Sequence, residues 1–358
     1  MRGISLAGST PVEHDADFYI PEGNTVIKVE NTLFKVHRYI LSRDGSAFEG
    51  MFSLDHIRSG TANEGDSDNN PIILHGDTPE EFRALLWSLY ALPAEVFQMP
   101  STQSDVVRFI HLARIAHKYS FRSTENWALH VLTVCQTNSD IMPKANSTPI
   151  LTQLTEVAVL CNHEELHEAV EPMWADLLFT GQTDDIISAM TVADKLNMRP
   201  LLGLAYYLMM LKGREEWNSP NLKTPLTKEQ KVRLLSGYYN ISRACEALPG
   251  TAPTLVHHPT CFMQGRCSEA WLSIWTAMIL KMMSDGGTPA LRIQTVDLLR
   301  KLHLANHLLE KLLNGEASMD VPGAGNMNKG CLRNGLKGSE DKVNDVLYGL
   351  ADYFVVLE

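Results

Sequence analysis

The sequence predicts a small α+β domain followed by an all-helical region. Runs in which apolar and polar residues alternate as in strands are confined to the first 74 positions. A helix with a strong start signal begins near residue 78, and from Pro149 onward only helical periodicity remains. In a chain of 358 residues, this division fits two domains, or one domain with a large extension.

Four short strands are predicted for the first domain. In the third, Phe34 and Val36 alternate with polar neighbours, as in a strand buried on one face. Pro71 can stand only at the start of a strand or at a sheet edge, so it opens the fourth. Residues 1–16 lack periodicity and are predicted to be a mobile tail. The predicted strands cover residues 17–20, 25–30, 33–36 and 71–74.

Helices complete this first domain. Thr78 is a suitable N-cap, Pro79 suits the first helical position, and Glu81 can complete a capping box. Two further helices are predicted over residues 104–119 and 123–137 from their apolar periodicity.

Six motifs occur in a fixed order along the first domain: Val36-His37-Arg38, Ile40-Leu41, Ser46-Ala47-Phe48, Met51-Phe52, Leu85-Leu86-Trp87-Ser88-Leu89-Tyr90 and Ile115-Ala116-His117-Lys118-Tyr119. Through these motifs, the region from 17 to 137 resembles the BTB/POZ domain family, and its overall pattern is similar to the expanded fungal BTB proteins. The resemblance implies a BTB/POZ domain, a small sheet with surrounding helices, over residues 17–137.

BTB domains are interaction modules, so the resemblance implies a non-catalytic adaptor or scaffold with protein partners. Some members form homo-oligomers, and others recognise substrates for a cullin-based ubiquitin ligase. Two features of this sequence differ from the dimeric and the cullin-binding members of the family. The residues before Asp17 do not look like the extra helix and strand of dimeric members, and residues 54–59 lack the Glu that cullin-binding members carry.

The resemblance also assigns roles to individual residues. Phe34, Leu41 and Phe48 are expected in the core, and His37 at the strand-to-helix junction is expected to be structural. The partner surface is expected where two helices end, because closely spaced apolar residues at a helix end cannot all face inward. Its candidate residues are Met51, Phe52, Leu54 and Tyr90.

The second part of the chain is predicted to contain stacked helix pairs over residues 149–313. Residues 315–338 are rich in glycine and lack an apolar period, so they are predicted to be a flexible linker. A terminal helix is predicted over residues 340–357.

One motif favours an enzyme instead. His163, Glu164 and His167 fit H-E-x-x-H, in which two histidines bind zinc and the glutamate activates water, so a zinc-dependent hydrolase is the alternative function. The position of the motif at a helix start argues against it, and packing already explains the apolar residues of this helix. The favoured prediction therefore has no catalytic residue, no cofactor and no metal.

Further ligand-type residues occur as Cys245, His257, His258, Cys261 and Cys267. They could hold a structural zinc, but they lack C-x-x-C spacing, and small buried thiols are the simpler interpretation. Whether they bind zinc is left open.

Composition excludes several classes of protein. The net charge of −11 disfavours nucleic-acid or anionic-membrane binding. No apolar run reaches the length of a membrane span, and no signal-peptide pattern opens the chain. Six irregularly spaced cysteines fit reduced thiols. We therefore expect a cytoplasmic or nuclear protein.

Overall fold

The computed structural model describes residues 11–55, 64–96, 100, 102–135, 148–180, 182–284, 296–316 and 322–355. The chain divides between Met173 and Trp174 into an N-terminal unit and a C-terminal unit. All strands of the described residues lie in the first unit, and the second is built from helices. The predicted fold class, a small α+β domain followed by a helical region, is confirmed.

Four strands form the sheet of the N-terminal unit: β1 (Glu13–Tyr19), β2 (Thr25–Val29), β3 (Thr32–Val36) and β4 (Ile72–Leu74). Their order is β1-β3-β2-β4. β2 and β3 form an antiparallel hairpin in which Ile27 pairs with Phe34, while β1 runs parallel to β3 and β4 parallel to β2. The central strands are the most apolar and the most buried.

β1 begins at Glu13, so residues 13–16 belong to the sheet and the predicted tail over 1–16 is too long. The buried carboxylate of Asp15 holds this strand. It accepts a hydrogen bond from the backbone N–H of Phe18 at 2.9 Å and an ion-paired one from Arg83 Nε at 2.6 Å. The anchor is a long-range ion pair, which local apolar periodicity cannot reveal.

Within the described residues, eight α-helices begin in the N-terminal unit. In α3, Thr78 and Glu81 form the predicted capping box, with Glu81 N donating to Thr78 Oγ1 at 3.3 Å and Thr78 N donating to Glu81 Oε2 at 3.0 Å. The helices are α1 (Arg38–Leu41), α2 (Ala47–Asp55), α3 (Pro79–Tyr90), α4 (Pro93–Val96), α5 (Gln103–Lys118), α6 (Arg122–Cys135), α7 (Thr148–Leu160) and α8 (Glu164–Thr180).

Helix α7 packs on α5 inside the N-terminal unit. The sequence assigned residues 149–160 to the helical region, so the division of the chain lies further along than expected. Arg114 on α5 pairs with Glu156 on α7 at 3.1 Å, and the apolar face of α7 is buried. Helix α7 therefore belongs to the N-terminal unit.

In its described part, the C-terminal unit contains the end of α8 and eight further α-helices. Thr227 and Gln230 form a capping box at the start of one of them, and Gly315, at φ 75°, closes another. These helices are α9 (Thr183–Leu196), α10 (Arg199–Lys212), α11 (Arg214–Trp217), α12 (Lys228–Ala247), α13 (Gln264–Ser284), α14 (Leu298–Asn314), α15 (Lys329–Tyr348) and α16 (Leu350–Tyr353).

Helix α15 corrects the predicted linker over 315–338 and the predicted terminal helix over 340–357. The side chain of Asn328 caps α15 by accepting a hydrogen bond from Gly330 N at 2.8 Å. A Cβ atom on Gly335 would lie 2.9 Å from the ring of Trp271. At these positions glycine permits close helix packing, so glycine content alone misleads about flexibility.

No described helix has both the length and the apolar composition needed to cross a membrane.

Candidate functional site

The junction between β3 and α1 is tied to the end of α3 by one hydroxyl group. The backbone N–H of His37 donates to the hydroxyl oxygen of Tyr90 at 3.0 Å, and that oxygen lies 2.9 Å from His37 Nδ1. Burial raises the pKa of Tyr90, while the bond from the His37 N–H opposes the rise. The Tyr90 hydroxyl therefore stays neutral at physiological pH and holds the two helix ends together.

The predicted core residues Phe34, Leu41 and Phe48 are all buried. Phe52, a predicted partner contact, is also buried, at 4% exposure. Its ring neighbours Phe48, and the guanidinium of Arg38 lies 4.5 Å from its centroid. This packing makes Phe52 inaccessible to a partner and corrects its predicted role.

The other two predicted contacts on α2 differ from Phe52. Met51 is half-buried. Leu54 lies in α2, but its side chain is outside the described part of the structure.

An aromatic surface lies around α1. Tyr39 is 75% exposed, whereas Leu41, two positions further, is fully buried. The rings of Phe18 and His37 lie 6.1 and 6.0 Å from that of Tyr90, centroid to centroid. We call Phe18, His37, Tyr39 and Tyr90 the α1 surface. The sequence missed Phe18 on β1 and Tyr39 on α1. For Tyr39, a single short helix offers no periodicity from which exposure can be inferred.

A groove of about 500 Å³ adjoins this surface, between β1, α3 and α5. Phe18 lines it together with Trp87, so the groove and the α1 surface share a side chain. Trp87 is supported by Phe109 and Trp127, at centroid distances of 5.8 and 6.0 Å, and Arg108 lies 4.9 Å from a Trp87 ring. Charged residues of both signs line it: Asp17, Glu80, Arg83 and Arg108.

Residues 23–124 match the family model of the BTB/POZ domain. The N-terminal unit contains a BTB/POZ domain. The matched range runs from the turn before β2 into α6 and thus includes the β3–α1 junction and α3. No curated protein and no solved structure matches the chain significantly. BTB domains are generally non-catalytic interaction modules, which supports a protein-interaction role for this chain.

Outside the BTB domain, the H-E-x-x-H motif lies at the start of α8. The backbone N–H of Leu166 donates to His163 Nδ1 at 3.2 Å, so this ring nitrogen caps the helix. Among the described residues, neither His163 nor His167 belongs to a group of three or more metal-ligand side chains. Nothing in this geometry supports the hydrolase alternative.

We expect His163→Ala to destabilise the protein by about 0.5–2 kcal/mol, the usual cost of losing an N-cap side chain. Urea denaturation would measure this change. His167→Ala is the matched control, since His167 lies one turn further into α8, and it should cost less. An unchanged unfolding midpoint in His163→Ala would contradict the capping role.

A cysteine–histidine cluster lies in the C-terminal unit, formed by His257, Cys261, Cys267 and Cys331. The ligand atoms of these four side chains all lie within 4.8 Å of one another. The three cysteines are buried and His257 is half-buried. Burial raises the pKa of Cys267 to about 11, and hydrogen bonds of its thiol to the sulfurs of Cys331 and Cys261 add to this rise, although a bond from the Asn328 backbone opposes it. The four groups together have the composition of a Cys3His metal site.

Two of the ligand candidates from the sequence are not in this cluster. Cys245 is buried in α12 beside Lys301. The ring of His258 bonds through Nδ1 to Thr260 Oγ1 at 2.9 Å. The sequence missed Cys331 because this residue lies in the stretch interpreted as a linker.

A second group, in the N-terminal unit, joins His117, Glu125 and Cys161. His117 Nδ1 lies 2.8 Å from Glu125 Oε1. Burial, reinforced by the charge of Glu125, raises the pKa of Cys161 to about 12. A thiol with such a pKa is protonated at neutral pH, so this Cys–Glu–His arrangement does not provide an activated nucleophile.

Proposed function

We propose that the chain is a non-catalytic adaptor whose BTB domain binds a protein partner through the α1 surface and the adjoining groove. The observation that supports this proposal best is Tyr39, an aromatic side chain that is 75% exposed beside a fixed aromatic cluster. Tyrosine and tryptophan are the residues that most often dominate the energy of protein interfaces.

The surroundings of Tyr39 favour a preformed surface. The Tyr90 hydroxyl fixes both the backbone and the ring of His37, and Arg38 is held over the Phe52 ring. Tyr39 follows directly in the chain, so a partner would find its backbone already ordered. Binding to an ordered surface costs less conformational entropy than binding to a loop that must first fold.

The groove adds a place for a partner's side chain. Its apolar lining, Phe18 and Trp87, can bury an apolar group, and its charged residues of both signs can pair with a polar rim. An apolar centre with a polar rim is the usual organisation of a protein interface. The partner class proposed here is therefore a folded protein or peptide segment with an apolar anchor, not a nucleic acid.

Two narrower partners follow from the family resemblance, a cullin scaffold and a second copy of the chain. The run from residue 54 to 59 lacks the expected Glu, and this argues against the cullin. The experiment described below distinguishes a cullin and a second copy of the chain from any other protein partner.

Tyr39→Asp should weaken binding of the principal partner about thirty-fold or more, the equivalent of losing about 2 kcal/mol at an interface hot spot. The partner would be identified by affinity capture from the native host and mass spectrometry, then titrated in purified form. Tyr239→Asp is the matched control, because Tyr239 is 65% exposed but lies on α12 of the C-terminal unit. It should bind with the wild-type affinity.

Unchanged affinity in Tyr39→Asp, with circular dichroism like that of wild type, would refute the assignment of this surface. Loss of binding in Tyr239→Asp alone would indicate that the partner binds the helical C-terminal unit instead. Recovery of a cullin would identify a ligase subunit, and a concentration-dependent dimer in light scattering, lost in Tyr39→Asp, would identify self-association.

A further inference from the structure

We propose that His257, Cys261, Cys267 and Cys331 bind a structural Zn²⁺ ion in the C-terminal unit. This inference concerns a different part of the chain from the BTB domain and does not depend on the proposed partner surface. It assigns the chain a metal site made of three thiolates and one imidazole.

The spacing of the four ligand atoms suits tetrahedral zinc. With bonds of about 2.3 Å to sulfur and about 2.0–2.1 Å to nitrogen, two ligand atoms of a tetrahedral site lie about 3.5–3.8 Å apart. Cys331 Sγ lies 3.7 Å from His257 Nδ1, and all the pairs lie within 4.8 Å. Contraction of the longer pairs by about 1 Å would complete the site, which side-chain rotation alone can supply.

Neighbouring groups orient these ligands for a metal. His257 Nε2 lies 3.1 Å from Ser268 Oγ, which leaves Nδ1 directed at the cysteines. A ligating histidine usually has its second nitrogen engaged in this way. The backbone N–H of His258 donates to Cys331 Sγ at 3.2 Å. Such a bond stabilises a thiolate, the form of cysteine that binds zinc.

Two of the cysteines also lie in the first turns of helices. Cys267 is the fourth residue of α13 and Cys331 is the third residue of α15. Regular helix backbones therefore position both sulfur atoms, which holds a site more precisely than a loop would. Gly330 allows the start of α15 to lie close to His258 and its loop, because a Cβ atom at that position would lie 2.5 Å from Cγ of His258.

The segment that carries His257 and Cys261 has little apolar packing of its own. Residues 251–263 contain no helix or strand, and Phe262 and Met263 are 94% and 58% exposed. Side chains directed outward in this way contribute little burial energy to the loop. A zinc ion joining it to the starts of α13 and α15 would supply the missing stabilisation, since metal binding to a preformed site contributes directly to folding.

Zinc fits this donor set better than other cations. Calcium and magnesium prefer oxygen ligands, whereas three sulfurs and one imidazole form a closed structural zinc site with no open position for catalysis. A disulfide would use only two of the three thiols. Each of the six cysteines, all in the described part of the chain, is a free thiol.

The full-length protein, produced without a histidine tag and dialysed against a weak chelator, should retain about one zinc ion per chain. Plasma mass spectrometry would measure the metal, and thiol titration would measure the accessible cysteines. Cys331→Ser and Cys267→Ser should each lose that zinc. Cys245→Ala removes a buried cysteine outside the cluster, and His163→Ala with His167→Ala removes the H-E-x-x-H motif, so both controls should keep it.

Wild-type protein that holds no zinc, or that contains a disulfide among these three cysteines, would overturn the proposal. Full zinc retention in Cys331→Ser would do the same. If the serine variants do not fold, cobalt substitution in the wild-type protein would test whether the cysteines bind a metal. Absorption bands of tetrahedral cobalt with sulfur ligands would support the site, and a cobalt spectrum without sulfur charge-transfer bands would overturn it.

Discussion

Replacing Phe34 with alanine should destabilise the BTB domain by about 3–5 kcal/mol, the usual cost of truncating a buried phenylalanine. Phe34 is fully buried at the centre of the sheet, opposite Ile27 of β2. Its ring meets that of Phe82 on α3 edge to face, with centroids 4.9 Å apart. The substitution would leave a cavity between the sheet and α3, which rigid strands cannot close.

Ile73→Ala is the matched control for this experiment. Ile73 lies in the same sheet but is 53% exposed, so its truncation should change stability by less than about 0.5 kcal/mol. Urea denaturation of both variants would give the two free energies of unfolding. Equal unfolding midpoints for Phe34→Ala and wild type would contradict the placement of Phe34 in the core.

The elements that the sequence predicted well are those whose determinants are local. The β2–β3 hairpin follows from an apolar run and its turn, and α3 follows from Thr78, Pro79 and Glu81 within four positions. In the structure, β2 pairs with β3, and Thr78 and Glu81 bond to each other, as the sequence indicated. A capping box is a short-range interaction, so sequence spacing determines it almost completely.

The features that the sequence did not predict depend on residues far apart in the chain. Cys331 joins His257 across more than seventy positions, and Asp15 is anchored by Arg83. Such contacts exist only once the chain has folded, so no local pattern marks them. The exposure of Tyr39 is unpredictable for the same reason, because the surroundings of α1 are built by α2 and α3.

Glycine in the C-terminal unit shows a related effect. The sequence signals flexibility wherever glycines gather, but Gly203 in the middle of α10 serves a close contact. A Cβ atom there would lie 2.5 Å from the backbone nitrogen of Ala351 and 2.8 Å from Cβ of Leu350. Both residues belong to α16, which therefore packs directly against the backbone of α10.

Gly203→Ala should destabilise the C-terminal unit by about 2 kcal/mol. Two effects oppose each other, because alanine favours a helix over glycine by about 1 kcal/mol, whereas overpacking a core costs about 1–3 kcal/mol or more. The steric effect should dominate, since the nearest atom is backbone and no side-chain rotation can move it. Displacement of α16 would also withdraw the buried Phe354 from Tyr206, whose ring lies 5.5 Å away.

Gly265→Ala is the matched control in the same unit, and its expected change in stability has the opposite sign. Gly265 is in the first turn of α13, and apart from its chain neighbours and the backbone of its own helix, no heavy atom of the described chain lies within 4 Å of its Cβ position. That variant should be more stable by about 0.4–1 kcal/mol, through a less flexible unfolded chain. Hydrogen exchange read by mass spectrometry should quicken at residues 350–354 in Gly203→Ala alone. Unchanged exchange there would mean that α16 accommodates the added methyl group without being displaced, contrary to the close contact at Gly203.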